Sequence, residues 1–134
     1  MIKKTVTYKD FDGNERTEDF YFHLTEQELT EWELSVDGGL SGVLTRIINS
    51  KDNRKLVEIF KDLLIRSYGV KTPDGRGFIK NEDVLNDFKY TQAFSDIYME
   101  LATDDKAASE FVNGIIPVSL AAEARKEMKV LSDD

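Results

Sequence analysis

The stretch Asp74-Gly75-Arg76-Gly77-Phe78-Ile79-Lys80-Asn81-Glu82-Asp83 gathers oxygen-bearing side chains behind two glycines. A calcium loop needs oxygen ligands at alternate positions, a turn glycine at the sixth and a bidentate glutamate at the twelfth. With Gly77 as the turn glycine, the first position is Thr72 and the fifth is Arg76, a cation where calcium needs an oxygen. The twelfth is Asp83, shorter than the usual glutamate. In that register calcium affinity is expected to be negligible, and the plain reading is a glycine-rich connector capped by Asn81. The segment Asp10-Phe11-Asp12-Gly13-Asn14 fails the same test, because its glycine falls two positions early.

Nucleophilic catalysis finds no support. The serines are scattered, and the only candidate base is the single histidine, His23, in an alternating segment that reads as an ordinary surface or edge position. The carboxylate pairs Glu82-Asp83 and Asp104-Asp105 fall where helices are expected to begin, and the helix dipole accounts for them. Gly38-Gly39 is followed by Leu40-Ser41-Gly42, with no Lys-Ser/Thr to complete a phosphate loop. The absence of cysteine excludes disulfides, zinc thiolates and thiol nucleophiles.

The elements around these residues are readable from periodicity. Residues 3–23 are expected to form a β-hairpin. Thr5, Thr7 and Lys9 alternate with Val6, Tyr8 and Asp10, and Phe20 and Phe22 alternate with Tyr21 and His23. Asp12-Gly13 lies between the two runs and favours a tight turn. A lone hairpin is marginal in water, so one face must pack on helices or a partner must add a strand. Leu24-Thr25-Glu26-Gln27-Glu28-Leu29 then combines a Thr25–Glu28 capping box with a Leu24–Leu29 staple. Leu29, Trp32 and Val36 form an apolar stripe that ends at Asp37-Gly38-Gly39.

A second helix is expected over Leu40 to about Asn49. A third is capped by Asp52, with Leu56, Val57, Phe60, Leu63, Leu64 and Tyr68 on one face, an Asp62–Arg66 pair on its wet side, and Gly69 as its stop. Asn81 is expected to cap a fourth. A fifth starts near Thr91 and carries Phe94, Ile97, Tyr98 and Leu101. Thr103 with Asp104 and Asp105 opens a sixth, which Asn113-Gly114 closes. The fold class is therefore α+β: an N-terminal β-hairpin packed on a compact bundle of about five or six short helices, with a C-terminal tail. Residues 1–117 are expected to be a single α+β domain, with the hairpin at 3–23 and the helical part at 25–117. Residues 118–134 form a polar tail, for which helix and disorder both stay open.

Composition narrows the function classes. The chain has 134 residues and a formal net charge of -8, with 18 basic against 26 acidic side chains. Such a field repels phosphate backbones, so nucleic acid is not expected as a partner. No apolar run approaches the roughly 18 residues a membrane span needs, and no apolar segment follows Lys3-Lys4 to make a signal peptide. No cofactor is expected. From the residues alone the reading stops at a soluble α+β interaction protein without catalysis.

Three stretches, in order, carry a resemblance. They are Thr7 to Thr25; Tyr68-Gly69-Val70-Lys71-Thr72-Pro73-Asp74-Gly75-Arg76-Gly77-Phe78-Ile79-Lys80; and Thr91-Gln92-Ala93-Phe94-Ser95-Asp96-Ile97-Tyr98-Met99-Glu100-Leu101-Ala102-Thr103-Asp104, continuing to Phe111-Val112-Asn113-Gly114-Ile115-Ile116-Pro117. Together they resemble tail assembly chaperones of siphophages and prophages of Gram-positive bacteria, across most of residues 5–117. The resemblance implies a non-virion protein of the host bacterial cytoplasm that binds the tape-measure protein, and in some cases the tail-tube protein, while tube subunits assemble. It also implies a short form beside a frameshifted longer one, and it leaves homo-oligomerisation open. For partner binding the sequence offers Tyr21, Phe22 and Trp32 on the hairpin edge and in the helical grooves. Trp32 also fits the core on its Leu29–Val36 stripe, and Tyr21 fits cover for the second sheet face. Two other readings remain: a small structural head–tail connector, and a calcium-binding, EF-hand-like module on the Asp74–Asp83 loop.

Overall fold

The computed structural model describes residues 1–35 and 53–115. The helix expected over Leu40 to Asn49, the Asp37-Gly38-Gly39 stop, the Asp52 cap and the 118–134 tail lie outside the described residues. The architecture is α+β: an N-terminal antiparallel hairpin whose sheet is extended by two further strands, with helices packed on one face.

Strands β1 (Ile2–Lys9) and β2 (Glu15–Phe22) pair antiparallel from Ile2↔Phe22 to Lys9↔Glu15. The turn between them is set locally. The Asp10 N–H donates to Asn14 O at 2.9 Å, and the Gly13 N–H donates to Asp10 O at 3.0 Å. Gly13 sits at φ 85°, the left-handed position such a three-residue loop assigns to glycine. Asp10 braces the loop with Oδ1, which accepts from the N–H groups of Asp12 and Asn14. Even-numbered residues of the hairpin face the helices. Odd-numbered ones face outward, and Lys3, Thr5, Thr7 and Lys9 among them are exposed.

Helix α1 (Glu26–Ser35) starts on the capping box read from the sequence. The Glu28 N–H donates to Thr25 Oγ1 at 3.2 Å, and the Thr25 N–H donates to Glu28 Oε1 at 3.0 Å. Leu24 and Leu29, the expected staple, are both buried. Helix α2 (Asn53–Ser67) carries Phe60, Leu63 and Leu64 into the core, and its Arg66 pairs with Asp62 at 3.2 Å.

At the end of α2 the structure departs from the helical reading. The helix stops at Ser67, and Tyr68–Lys71 form β3, which pairs with β2 at Tyr21↔Gly69 and Phe22↔Tyr68. Phe78–Ile79 form β4, so the sheet order is β1-β2-β3-β4. Tyr68 matches the apolar spacing of α2 but belongs to a strand. Its ring stacks on Phe88 at a centroid distance of 4.2 Å, and its backbone extends the exposed edge of β2. Local periodicity cannot anticipate a pairing with residues more than forty positions away.

Helices α3 (Glu82–Lys89), α4 (Gln92–Thr103) and α5 (Asp105–Ile115) follow. Asn81 caps α3, accepting from the Val84 N–H at 2.8 Å, and Thr91 caps α4. Asp104, rather than Thr103, caps α5, because its Oδ1 accepts from the N–H groups of Lys106 and Ala107. Helix α5 does not stop at Asn113-Gly114; it runs through both to Ile115. A β-carbon at Gly114 would stand 3.0 Å from Ile2 Cδ1, so this glycine serves close packing of α5 on β1. The core joins sheet and helices through aromatic rings. Phe22 meets Phe111 at 5.3 Å and Phe88 at 5.8 Å, and Phe20 meets Phe88 at 5.0 Å.

Candidate partner-binding surface

Of the three aromatic residues expected to meet a partner, two lie inside the protein. Phe22 is 0% exposed, packed among Tyr68, Phe88 and Phe111. It presents no surface, because an even-numbered β2 position faces the helices. Trp32 is 6% exposed, on the α1 stripe beside Leu29, with the Arg66 guanidinium 4.9 Å from its ring centre. Tyr21 stays half-buried on the outward face, and the Lys71 ammonium sits 4.0 Å from its ring centre. The structure does not bring these three residues to one surface.

His23 follows β2 directly and is half-buried rather than a plain surface residue. Its N–H donates to Ser67 O at 2.8 Å, and its Nδ1 is buried without a hydrogen-bond partner. Burial, then the N-terminal ammonium and Lys80, hold its pKa below the usual 6.5 against the opposing pull of Glu28. Lys80 Nζ donates to His23 O at 2.7 Å and to Glu28 Oε2 at 2.5 Å, tying the end of β4 to the start of α1. Burial alone raises the Glu28 pKa, but the bonds from Lys80 and Thr25 outweigh it and leave the carboxyl below its ordinary range. These contacts tie the ends of β2, β4 and α2 to the start of α1.

The glycine-rich connector joins β3 to β4, not two helices. The Thr72 N–H donates to Gly77 O at 2.8 Å, and the Gly75 N–H donates to Thr72 O at 2.8 Å, with Gly75 at φ 75°. Asp74 Oδ1 accepts from the Thr72 hydroxyl at 2.6 Å and the Arg76 N–H at 3.1 Å. The carboxylate is thus committed within its own turn. No group of three or more His, Asp or Glu side chains among the described residues could hold a metal ion.

A hollow of about 460 Å³ opens between the tip half of the hairpin and the α3–α4 corner. It exists because β3 pairs with only the last two residues of β2, so the rest of the hairpin projects beyond the third strand. Tyr8, Phe20, Tyr68 and Phe88 form its floor, each less than a tenth exposed. Asp10, Asp12, Glu18 and Asp87 bring carboxylates to its lining, against the single guanidinium of Arg16; Asp19 also borders it, but its Oδ1 accepts from the Thr5 hydroxyl at 2.6 Å on the outward face. Arg16 is itself engaged, its Nε donating to Asp10 Oδ2 at 2.8 Å. The Arg16 bond, with the Asn14 N–H, holds the Asp10 carboxyl below its ordinary range. The Tyr8 hydroxyl donates to Glu18, and burial together with that carboxylate pushes its pKa up to about 12.

Two large apolar side chains flank the same hollow in solvent. Phe11 at the hairpin tip is 80% exposed, and Tyr90 at the α3–α4 junction is 70% exposed. Sequence reading passed over both. The signal was present for Phe11: a phenylalanine between Asp10 and Asp12 at the apex of a hairpin turn is far from any core. For Tyr90 and Asp87 no local pattern points to the hairpin, since the approach is set by how α3 packs.

Among the described residues no helix is long and apolar enough to cross a membrane. The family model described as phage tail assembly chaperone matches residues 1–133. No curated protein and no solved structure matches the chain.

Proposed function

The chain belongs to the phage tail assembly chaperone family, and from that premise we propose that it binds the tape-measure protein in the host cytoplasm, assists assembly of the tail tube around it, and is absent from the finished particle. The match over residues 1–133 carries this reading. The family is not an enzyme family, and the chain is read as catalysing nothing.

The physical features agree with such a role. A protein that shields an aggregation-prone client must stay dissolved while offering apolar surface. The net charge of -8 favours solubility, and the hollow beside Phe11 and Tyr90 offers apolar surface within a charged rim.

Co-expression with the tape-measure protein of the same phage tests the reading. The expected result is a soluble complex that elutes as one species, with the client insoluble when expressed alone. A client equally insoluble with and without the chain would sink the proposal. Mass spectrometry of purified particles separates chaperone from head–tail connector: the chain is expected to be missing, and stoichiometric presence would establish a structural part instead.

A further inference from the structure

We propose that the hollow between the hairpin tip and the α3–α4 corner is the client-docking surface, and that its occupant is a basic segment of the tape-measure protein. Such a segment carries a lysine or arginine flanked by apolar side chains. The assignment rests on the reading above that the tape-measure protein is the client.

Three independent observations converge on this place. The first is charge. Asp10, Asp12, Glu18 and Asp87 set four carboxylates against the one guanidinium of Arg16, which is paired with Asp10. A cationic side chain entering there is attracted, whereas an acidic one is repelled. The second is the floor. Tyr8, Phe20 and Tyr68 bring ring atoms to it, each 7–8% exposed, and aromatic rings attract ammonium and guanidinium groups while accommodating their methylene stems. The third is exposure. Phe11 and Tyr90, the two most exposed large apolar side chains described, both border this one hollow. Neither contributes to the core, so their exposure on a monomer has no packing reason.

The chemistry of recognition follows. The client cation sits over the rings with Asp87 and Glu18 within its reach, and the Tyr8 hydroxyl keeps Glu18 oriented. Apolar neighbours of that cation meet Phe11 on one side and Tyr90 on the other. Rim charges govern encounter and salt dependence, while the buried apolar contacts govern residence. The opposite face of the sheet sets Lys3, Lys9 and Lys71 against Glu15 and Asp19, so it offers such a segment no net negative field.

The test uses the full chain and the tape-measure protein of the same phage, with three variants. Asp87→Lys reverses a rim charge. Phe11→Ser with Tyr90→Ser removes the apolar flanks. Thr7→Lys, on the outward face, is the control. All these positions are exposed, so each variant is expected to melt as the parent does. Asp87→Lys and the double variant are expected to weaken binding by roughly tenfold or more, while Thr7→Lys binds as the parent does. Raising salt from 50 to 500 mM should weaken the parent complex, and weaken the Asp87→Lys complex less.

If the parent binds the client and the hollow variants bind equally well, the docking assignment fails while the chaperone reading stands. If the parent holds no tape-measure protein, both fail together. Sedimentation of the chain alone supplies the last outcome. A dimer abolished by Phe11→Ser with Tyr90→Ser would make a second copy the occupant and overturn the client assignment.

Discussion

A β-carbon on Gly69 would stand 2.7 Å from Cε2 of the Phe78 ring, closer than real contacts allow. Here the glycine lets a ring from the neighbouring strand lie over the backbone of β3. Gly69→Ala is therefore expected to cost about 1 kcal/mol by displacing that ring, and Phe78→Ala in the same chain should remove most of the cost. A double-mutant cycle by urea denaturation measures the coupling, and strictly additive effects would contradict it. His23 gives a second prediction at this scale. Its folded pKa is depressed, so between that value and 6.5 the unfolded chain binds more protons than the folded one. Stability is then fully present above about 6.5 and declines as pH falls through the folded pKa. With one histidine in the chain, an NMR titration of its ring is unambiguous, and a midpoint at or above 6.5 would refute the cause assigned.

The helix starts show how far local chemistry reaches. Thr25, Asn81, Thr91 and Asp104 all accept from N–H groups two or three residues onward, and each was readable beforehand as part of a start signal. Thr25→Ala is expected to cost about 1 kcal/mol, as is Asp104→Ala. Glu28→Ala should cost more than the loss of a capping box alone, because Glu28 also receives Lys80, which follows β4. Thermal melts at pH 7 check the order: if Glu28→Ala is the mildest of the three, the link between β4 and α1 carries no stability. Strands β3 and β4 show the limit of such reading. Their four and two residues are too short for periodicity; β3 forms on the open edge of β2, and β4 on the edge that β3 then offers.

Across the whole molecule the aromatic cluster is the joint between sheet and helices. Phe22 from β2 contacts Tyr68 of β3, Phe88 of α3 and Phe111 of α5, so one side chain couples four elements. Phe22→Ala is expected to cost about 3–5 kcal/mol, a large share of the roughly 5–15 kcal/mol that holds a small domain together. Its denaturation midpoint should fall accordingly, while Tyr21→Ala, one position away on the outward face, should shift it by less than about 1 kcal/mol. Equal losses at the two positions would mean that the sheet is not packed on one face only. The contrast also explains why exposed aromatic positions were hard to choose from sequence. Tyr21 and Phe22 differ only in strand parity, and parity does not say which face the helices cover.

The amino-acid sequence determined by itself whatever depends on neighbours within a few residues. That includes the hairpin with Gly13 in its turn, the capping box at Thr25, the starts of α3, α4 and α5, and the acidic balance. Only the tertiary structure decided that Tyr68 leaves its helix for a strand and that Gly114 sits inside α5 beneath Ile2. It also decided that Phe22 and Trp32 are core, and that Phe11 and Tyr90 border one acidic hollow. The physical reason is range. Turns and caps are closed by bonds spanning two to four residues, whereas strand edges, close glycine contacts and hollows arise where distant segments meet.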